Sequence, residues 1–311
     1  MIVTVTLNAA LDLTYRVPSL TPHTTHRVTE VSERAGGKGV NVARVLAALG
    51  HTVTVTGFAG GATGRTLREH LTRTPGLVDA LRPVEGATRR TLAVVDARTG
   101  DTTQLNEPGP SVSSAEWSGF LAAYEELVGG SGVTAVALCG SLPPGVPVGA
   151  YALLVRAARA ARVPVLLDTS GEPLRRGVAA RPDLVKPNAE ELAELTGAHE
   201  PSRATRDARR RGAHAVVASL GADGLLAVTP EGTWRATPPA AVRGNPTGAG
   251  DSAVAGLLSG LVEGLHWPDR LARAVALSAA TVAAPAAGEF DRSVYDDVLP
   301  KVTVSGKAPA A

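Results

Sequence analysis

The chain has 311 residues, 44% apolar and 3% aromatic, with a formal net charge of +2 and a single cysteine. That length and apolar content support one large or two modest globular domains whose core is built from Ala, Val and Leu. A lone Cys139 rules out an internal disulfide and fits a reducing, cytoplasmic setting, and without a basic block beyond Arg209-Arg210-Arg211 no nucleic-acid partner is expected.

Met1 leads directly into Ile2 to Leu7, where β-branched residues alternate with Thr as in a strand, so no secretory leader is expected. Asn8-Ala-Ala-Leu-Asp12 falls at the C-terminal end of that strand, where open α/β sheets place ligands. Asp12 suits either a turn or the acceptance of a sugar hydroxyl. Leu13–Val17 and Thr25–Val31, set around Pro18 and Pro22, predict a small exposed sheet. Ala35-Gly36-Gly37-Lys38-Gly39-Val40-Asn41-Val42-Ala43-Arg44 then brings three glycines in four positions to the start of a helix predicted over Val40 to Leu49. Such a stretch lets a ligand approach the backbone and offers an anion or polyol site at a helix start. A tight turn with a solvated Lys38 accounts for the same residues. A Walker A loop does not, because Gly39 rather than Ser or Thr follows Lys38.

Thr52–Gly57 is expected as a strand, Gly60 to Gly64 as a loop and Thr66 to Leu71 as a helix. Leu92–Asp96 and Thr102–Leu105 flank Arg98-Thr-Gly-Asp101 as a hairpin. Arg89 and Arg90 stand at its entry, and since neighbours on a strand face opposite ways, at most one should meet a phosphate. From residue 113 the pattern becomes βα: helices over Ser113–Val128 and Tyr151–Arg159, strands at Val133–Leu138, Val163–Leu167, Leu184–Val185 and Val216–Ala218, and a helix opened by Glu190 and Glu191. Polar or Gly-rich segments follow these strands: Gly140-Ser-Leu-Pro-Pro-Gly145, Asp168-Thr-Ser-Gly171, Lys186-Pro-Asn188 and Ser219-Leu-Gly221-Ala-Asp-Gly224. Buried strands alternating with helices predict an α/β fold, a central, mostly parallel sheet with helices on both faces and its loops gathered at one edge. A single domain over 1–311 is expected, carrying a small β-sheet from about 12–34 and 88–107.

The most chemically loaded stretch is Gly244-Asn245-Pro246-Thr247-Gly248-Ala249-Gly250-Asp251, followed by a helical spacing of apolar residues from Ser252 to Leu265. Gly248, Ala249 and Gly250 present open backbone N–H groups at a helix N-terminus, where the dipole favours an anion. Asp251 reads as the cap, an acid beside an anion hole, which suits a phosphoryl group arriving on one side and a hydroxyl to be deprotonated on the other. A plain capped helix fits the same residues. The dinucleotide fingerprint fits poorly, because prolines rather than a strand precede these glycines. The Ala-rich segment 274–287, broken by Ser278, Thr281 and Pro285, is too weakly hydrophobic to span a bilayer, so no membrane partner is expected.

Taken in order, Asn8…Asp12, Gly36-Gly-Lys-Gly-x-Asn41-Val-Ala-Arg44, Thr88-Arg89, Gly140-Ser-Leu-Pro-Pro-Gly145, Asp168-x-Ser170-Gly171, Lys186-Pro-Asn188-x-x-Glu191-Leu, Ser219-Leu-Gly221-x-x-Gly224 and Gly248-Ala-Gly-Asp251 resemble the phosphofructokinase B branch of the ribokinase-like sugar kinases. The pattern is similar in particular to 1-phosphofructokinases, tagatose-6-phosphate kinases and the minor 6-phosphofructokinases, and it runs from Asn8 to the helix at 270–284. The resemblance implies a kinase taking ATP and Mg²⁺ and acting on a small-molecule sugar phosphate, with fructose 1-phosphate the leading acceptor. Asp251 is then the base, and the N–H groups of Ala249, Gly250 and Asp251, with Gly248 making room, steady the transferring phosphoryl. Asp12, Gly37, Lys38 and Asn41 hold the sugar, while Lys38 and Arg89 grip the phosphate it already carries. Lys186, Asn188, Ser219, Gly221 and Gly224 attend the nucleotide, with residues 279–284 as the adenine wall. Asn188 and Glu191 organise Mg²⁺, largely through water. The small sheet acts as a lid and a homodimer interface.

The chain departs from the family pattern at three places. Asn8-Ala9 stands for Asn-Pro, and Pro246-Thr247 precedes Gly248 where Thr-Val is usual. Thr-Arg-x-Asn-x-Lys reads Thr88-Arg89-Arg90-Thr91-Leu92-Ala93, which removes a polar grip on substrate and leaves the acceptor open among fructose 6-phosphate, tagatose 6-phosphate and unphosphorylated sugars. A sugar-phosphate-binding regulatory protein with little turnover is the reading from a different class.

Overall fold

The computed structural model describes residues 1–307; the last four residues of the domain expected over 1–311 lie outside the described range. In chain order the elements are β1 (Ile2–Thr6), β2 (Ala10–Val17), β3 (Glu30–Gly36), α1 (Lys38–Ala48), β4 (Val53–Ala59), α2 (Gly61–Thr72), β5 (Leu77–Asp79), β6 (Arg82–Pro83), β7 (Arg89–Asp96), β8 (Thr102–Asn106) and α3 (Ser114–Gly129). They continue with β9 (Ala135–Cys139), α4 (Ala150–Ala160), β10 (Val165–Asp168), α5 (Gly171–Ala179), β11 (Leu184–Val185), α6 (Ala189–Thr196), α7 (Pro201–Arg210), β12 (Ala215–Ser219), β13 (Leu225–Thr229) and β14 (Gly232–Thr237). The chain closes with α8 (Ala249–Val262), α9 (Trp267–Val282), α10 (Arg292–Val298) and β15 (Thr303–Lys307).

An 11-stranded sheet runs β15-β14-β13-β12-β11-β10-β9-β1-β4-β5, with β6 beside β4. From β12 to β5 the pairs are parallel. Every residue of β1, β4 and β9 is buried, the condition expected of parallel strands covered on both faces. Two apolar cores result. One joins α1, α8 and α9 to one face of the sheet, and the other joins α3, α4 and α7 to the opposite face. Cys139 is buried and unpaired. No helix among the described residues is long and apolar enough to cross a membrane.

The antiparallel edge formed by β12, β13, β14 and β15 was not among the sequence expectations. Its signal is present in Leu225 to Thr229, a β-prone run, followed by Pro230-Glu231 and the alternation of Thr233, Trp234, Arg235 and Ala236. Two other expectations are corrected. The Gly60–Gly64 segment is the first turn of α2 rather than a loop, with Gly60 as an extended N-cap. The strand expected over Thr25–Val31 instead runs Glu30–Gly36, straight into the N-cap of α1 at Gly37.

A separate four-stranded sheet has the order β3-β2-β7-β8. Its registers put Asp12 opposite Arg34 on one side and Thr91 on the other. It leaves Val31 and Leu105 more than half exposed. The sheet springs from the C-terminal end of β1, the edge at which the parallel strands present their loops.

Candidate active site

Four segments meet at that edge. Asp251 lies in the first turn of α8, but it is not the cap: Gly248 occupies that position, at φ 85°, and makes no side-chain cap. The left-handed backbone favours glycine there, and a Cβ would also stand 2.8 Å from Ala287 Cβ. Because the Asp251 carboxylate is not spent on capping, it is available to other partners. Asn41, on the buried face of α1, donates Nδ2 to Asp251 Oδ2 across 2.8 Å.

Burial and the nearby Asp168 carboxylate raise the Asp251 pKa to about 6, against the opposing pull of Lys38, Asn41 and Lys186. A helix N-terminus favours the ionised form, and here desolvation outweighs it. The Ala249 N–H bonds Pro246 O at 3.1 Å. Among the described residues the N–H groups of Gly250 and Asp251 have no protein acceptor, nor has that of Gly248 at the cap, whereas the Ala249 donor expected among them is taken.

Asp168 ends β10 and is fully buried. Its Oδ2 lies 3.3 Å from Lys38 Nζ and its Oδ1 3.2 Å from Lys186 Nζ. Burial opposes its ionisation, yet the two ammonium groups hold its pKa below the ordinary value. Asp168 in turn pushes Lys38 well up, aided by Asp251 and Glu191. Lys38, the first residue of α1, therefore stands at the Asp251 end of the site. Lys186 Nζ lies 3.6 Å from where a Cβ on Gly250 would be, so this ammonium group borders the first turn of α8.

Asp12 leans over Gly36, where an added Cβ would meet its Oδ2 at 1.9 Å. Burial raises Asp12 to about 6, while the Thr91 hydroxyl and the cations of Arg89 and Arg44 oppose that shift. Arg89 points into the site side of its strand, donating Nε to Asn8 O and Nη1 to Glu107 O. Arg90 faces away and pairs with the Glu107 carboxylate at 3.0 Å, the opposition the strand alternation required.

Beyond the α8 turn opens a cavity of about 1230 Å³ whose lining includes Asn188, Ser219, Gly221, Gly224, Ala249 and Gly250. Val275, Ala279 and Val282 on α9 supply an apolar wall. Ser219 ends β12 and is bridged to Asn188. Gly224 needs its positive φ of 83°, and a Cβ there would strike Ala236 O at 2.0 Å. Asn188 and Glu191 form a reciprocal cap on α6: Asn188 Oδ1 accepts from Glu191 N at 2.8 Å, and Glu191 Oε2 accepts from Asn188 N at 2.9 Å. Among the described residues no three His, Cys, Asp or Glu side chains gather as a metal cluster. The second Glu191 oxygen stays outside the cap, so this pair suits a hard cation held mainly through water rather than in a closed cage.

The site thus sets a buried carboxylate and the open amides of the α8 turn between the Asp12 side of the small sheet and a cavity large enough for a nucleotide, with two lysines beside Asp168. Its chemistry is phosphoryl transfer to an alcohol. The comparisons give that class its family. The profile of the pfkB family carbohydrate kinases matches residues 3–292, and the chain belongs to that family. It is 42% identical over 285 residues to a 1-phosphofructokinase from Rhodobacter capsulatus, covering 89% of this chain and 90% of that protein. Among solved structures, phosphofructokinase-2 from Escherichia coli in complex with fructose-6-phosphate is 29% identical, with a TM-score of 0.87 over 96% of this chain and 98% of that one. The tetrameric inhibited form of the same enzyme is also 29% identical, with a TM-score of 0.89 over the same shares. The protein is an ATP-dependent sugar kinase with the ribokinase-like fold.

Proposed function

We propose that the acceptor is fructose 1-phosphate and the product fructose 1,6-bisphosphate. The observation that carries this reading is the shared turn: Ala249 and Gly250 line the large cavity, while Asp251, the next residue, faces Asn41 from the sugar side. ATP lying in the cavity would bring its terminal phosphate to the amides of Gly250 and Asp251. Asp251 takes the proton of the attacking hydroxyl, and Asn41 aims the carboxylate oxygen. Orientation matters more than basicity here, since phosphoryl transfer passes a loose transition state in most analyses. Lys38 and Lys186 neutralise charge gathering on the transferring group. Mg²⁺, organised through water by Asn188 and Glu191, supplies charge neutralisation on the nucleotide phosphates when bound.

Asp12 accepts a sugar hydroxyl, Gly37 turns the chain into α1 at a positive φ of 99° with its missing side chain toward Thr6 and Ala9, and Arg89 reaches toward the phosphate the sugar already bears. The identity of the 1-phosphofructokinase relative supports that acceptor. The small sheet, residues 10–17, 30–36, 89–96 and 102–106, serves as a lid inserted in a single kinase domain and excludes water when sugar binds. Its outward Val31 and Leu105 suit a homodimer contact, and the setting is the cytoplasm. A coupled ADP-release assay over hexose and pentose phosphates, with unphosphorylated sugars as controls, tests the acceptor. The highest kcat/KM should fall to fructose 1-phosphate. Preference for fructose 6-phosphate, tagatose 6-phosphate or a free sugar reassigns the acceptor, and binding without turnover removes the catalytic reading.

A further inference from the structure

The Arg209-Arg210-Arg211 run ends α7 at the edge of the main sheet opposite the active site, and its first two members meet other arginines there. A cavity of about 570 Å³ is lined by Arg159, Arg181, Arg209 and Arg210, together with Asp183 and His214. Asp183 immediately precedes β11 and His214 nearly abuts β12, so the cavity lies at the N-terminal ends of strands whose C-terminal ends deliver Lys186 and Ser219 to the active site. Its cations are poorly compensated. Arg210 pairs with Asp207, which Arg203 also approaches at 3.8 Å, and one Asp183 oxygen accepts from the Val165 N–H at 2.9 Å. Among the described residues no carboxylate forms an ion pair with Arg159, Arg181 or Arg209. Four guanidiniums against the carboxylates of Asp183 and Asp207 leave an excess of two positive charges.

The C-terminal ends of α4, α5 and α7 gather at this place, and helix-end carbonyls favour cations. That accounts for part of the cluster. Arg159 Nη1 donates to Ala180 O and Arg181 O, and Arg209 Nε donates to His214 O. These bonds occupy one nitrogen of each guanidinium and anchor the rest of the planar fork. They do not account for Arg181, whose side chain makes no hydrogen bond within the protein among the described residues. Its backbone φ is 64°, in the left-handed region that favours glycine or asparagine after a helix. We propose that this cavity binds a small anion carrying at least two phosphate groups. Arg159 and Arg209 offer it pre-aimed forks, which suit phosphate oxygens better than a point charge does, and Arg181 supplies a third guanidinium with all its donors unspent. A volume of about 570 Å³ accommodates a diphosphate with an organic group attached. The cations line one concavity rather than a stripe across a face, which favours a small ligand over a nucleic acid.

The test is calorimetric titration of inorganic pyrophosphate into the full chain at fixed ionic strength. The active site also attracts anions, so the titration is repeated on Lys38→Gln, which alters that site alone. A pyrophosphate-binding event should survive in Lys38→Gln and weaken about tenfold or more in Arg181→Gln and in Arg209→Gln, the loss expected for hydrogen bonds to a charged group. Both arginine variants should keep wild-type kcat and KM values in the sugar kinase assay, since the cavity and the reaction lie at opposite ends of the strands. Arg209→Gln also loses a bond to His214 O, whereas Arg181→Gln removes no bond within the protein and so reports binding without disturbing the fold. If the arginines serve only as counter-charges for helix ends, the variants will lower Tm and bind pyrophosphate as wild type does, and that result overturns the site. So does a titration in which Lys38→Gln binds no pyrophosphate at all.

Discussion

The Asn41 amide and the Asp251 carboxylate meet at 2.8 Å although 210 residues separate them in the chain. The bond joins α1 to α8, so the proposed base is oriented by a residue from the first turn of the helix that Lys38 begins. With its pKa near 6, Asp251 is mostly ionised at neutral pH, and kcat/KM should fall on the acid side as pH drops through about 6. Asn41→Leu deletes a donor that favours the ionised form, so the acid limb should move to higher pH while turnover falls. Rate profiles from pH 5 to 8 measure both. An acid limb that stays in place would deny Asn41 this role.

Replacing the proposed base should trade activity for stability. In the unfolded chain an aspartate titrates near 3.8, whereas in the folded protein Asp251 titrates near 6. Between those values the native state holds more protons, so rising pH destabilises it, and the full penalty is present above about 6. Asp251→Asn abolishes that penalty and keeps a partner for Asn41. It should stabilise the protein by about 1–3 kcal/mol at pH 7 and by much less near pH 4. Turnover should drop by about 10²–10⁴. Urea unfolding at the two pH values, with kcat measured alongside, checks the sign. A variant less stable at pH 7 contradicts the electrostatic account.

Asp168 carries the opposite balance. It is fully buried between Lys38 and Lys186, and its pKa lies below the ordinary value. Its contribution to stability is therefore present above about pH 4 and is lost as pH falls through the depressed native value. Asp168→Asn leaves the Lys186 ammonium buried without its counter-ion. Breaking such a pair costs about 3–5 kcal/mol, with the lower end expected because Lys38 is partly solvated. Denaturant titration at pH 7 tests this, and a loss below about 1 kcal/mol would show that the two lysines find other partners.

The legible parts of the fold were those with a local signal. The parallel strands announced themselves as short apolar runs ended by Gly-rich or polar segments, and α8 announced itself by its spacing after Gly250. The site residues could be read where glycine, acid and helix start coincide, as at Gly248–Asp251 and Gly36–Asn41. Asp168 was visible only as the first residue of a loop, because its role depends on two lysines at positions 38 and 186 that tertiary packing alone brings together. The Ala249 amide looked like an anion donor until the turn directed it to Pro246 O. Strand β15 pairs with β14 across more than 60 intervening residues, a pairing no local window reports.

Gly36 should prove as important to the acceptor as the acid it accommodates. A Cβ at this position would lie 1.9 Å from Asp12 Oδ2 and 2.1 Å from its Cγ. The neighbour is the end of a side chain rather than backbone, so Gly36→Ala should be tolerated by the fold while forcing Asp12 to rotate away from its place over this residue. Asp12→Ala removes the same carboxylate outright. Both variants should therefore raise the acceptor KM sharply, by about tenfold or more for the loss of a charged hydrogen bond, and both should leave the KM for ATP near its wild-type value. The wild-type acceptor KM should also fall as pH rises through about 6, where Asp12 ionises, and that dependence should vanish in Asp12→Ala. Steady-state kinetics with each substrate varied in turn decide the matter. An unchanged acceptor KM in Asp12→Ala would remove the carboxylate from sugar binding, and a Gly36→Ala enzyme with normal kinetics would show that Asp12 does not need the position it occupies over this glycine.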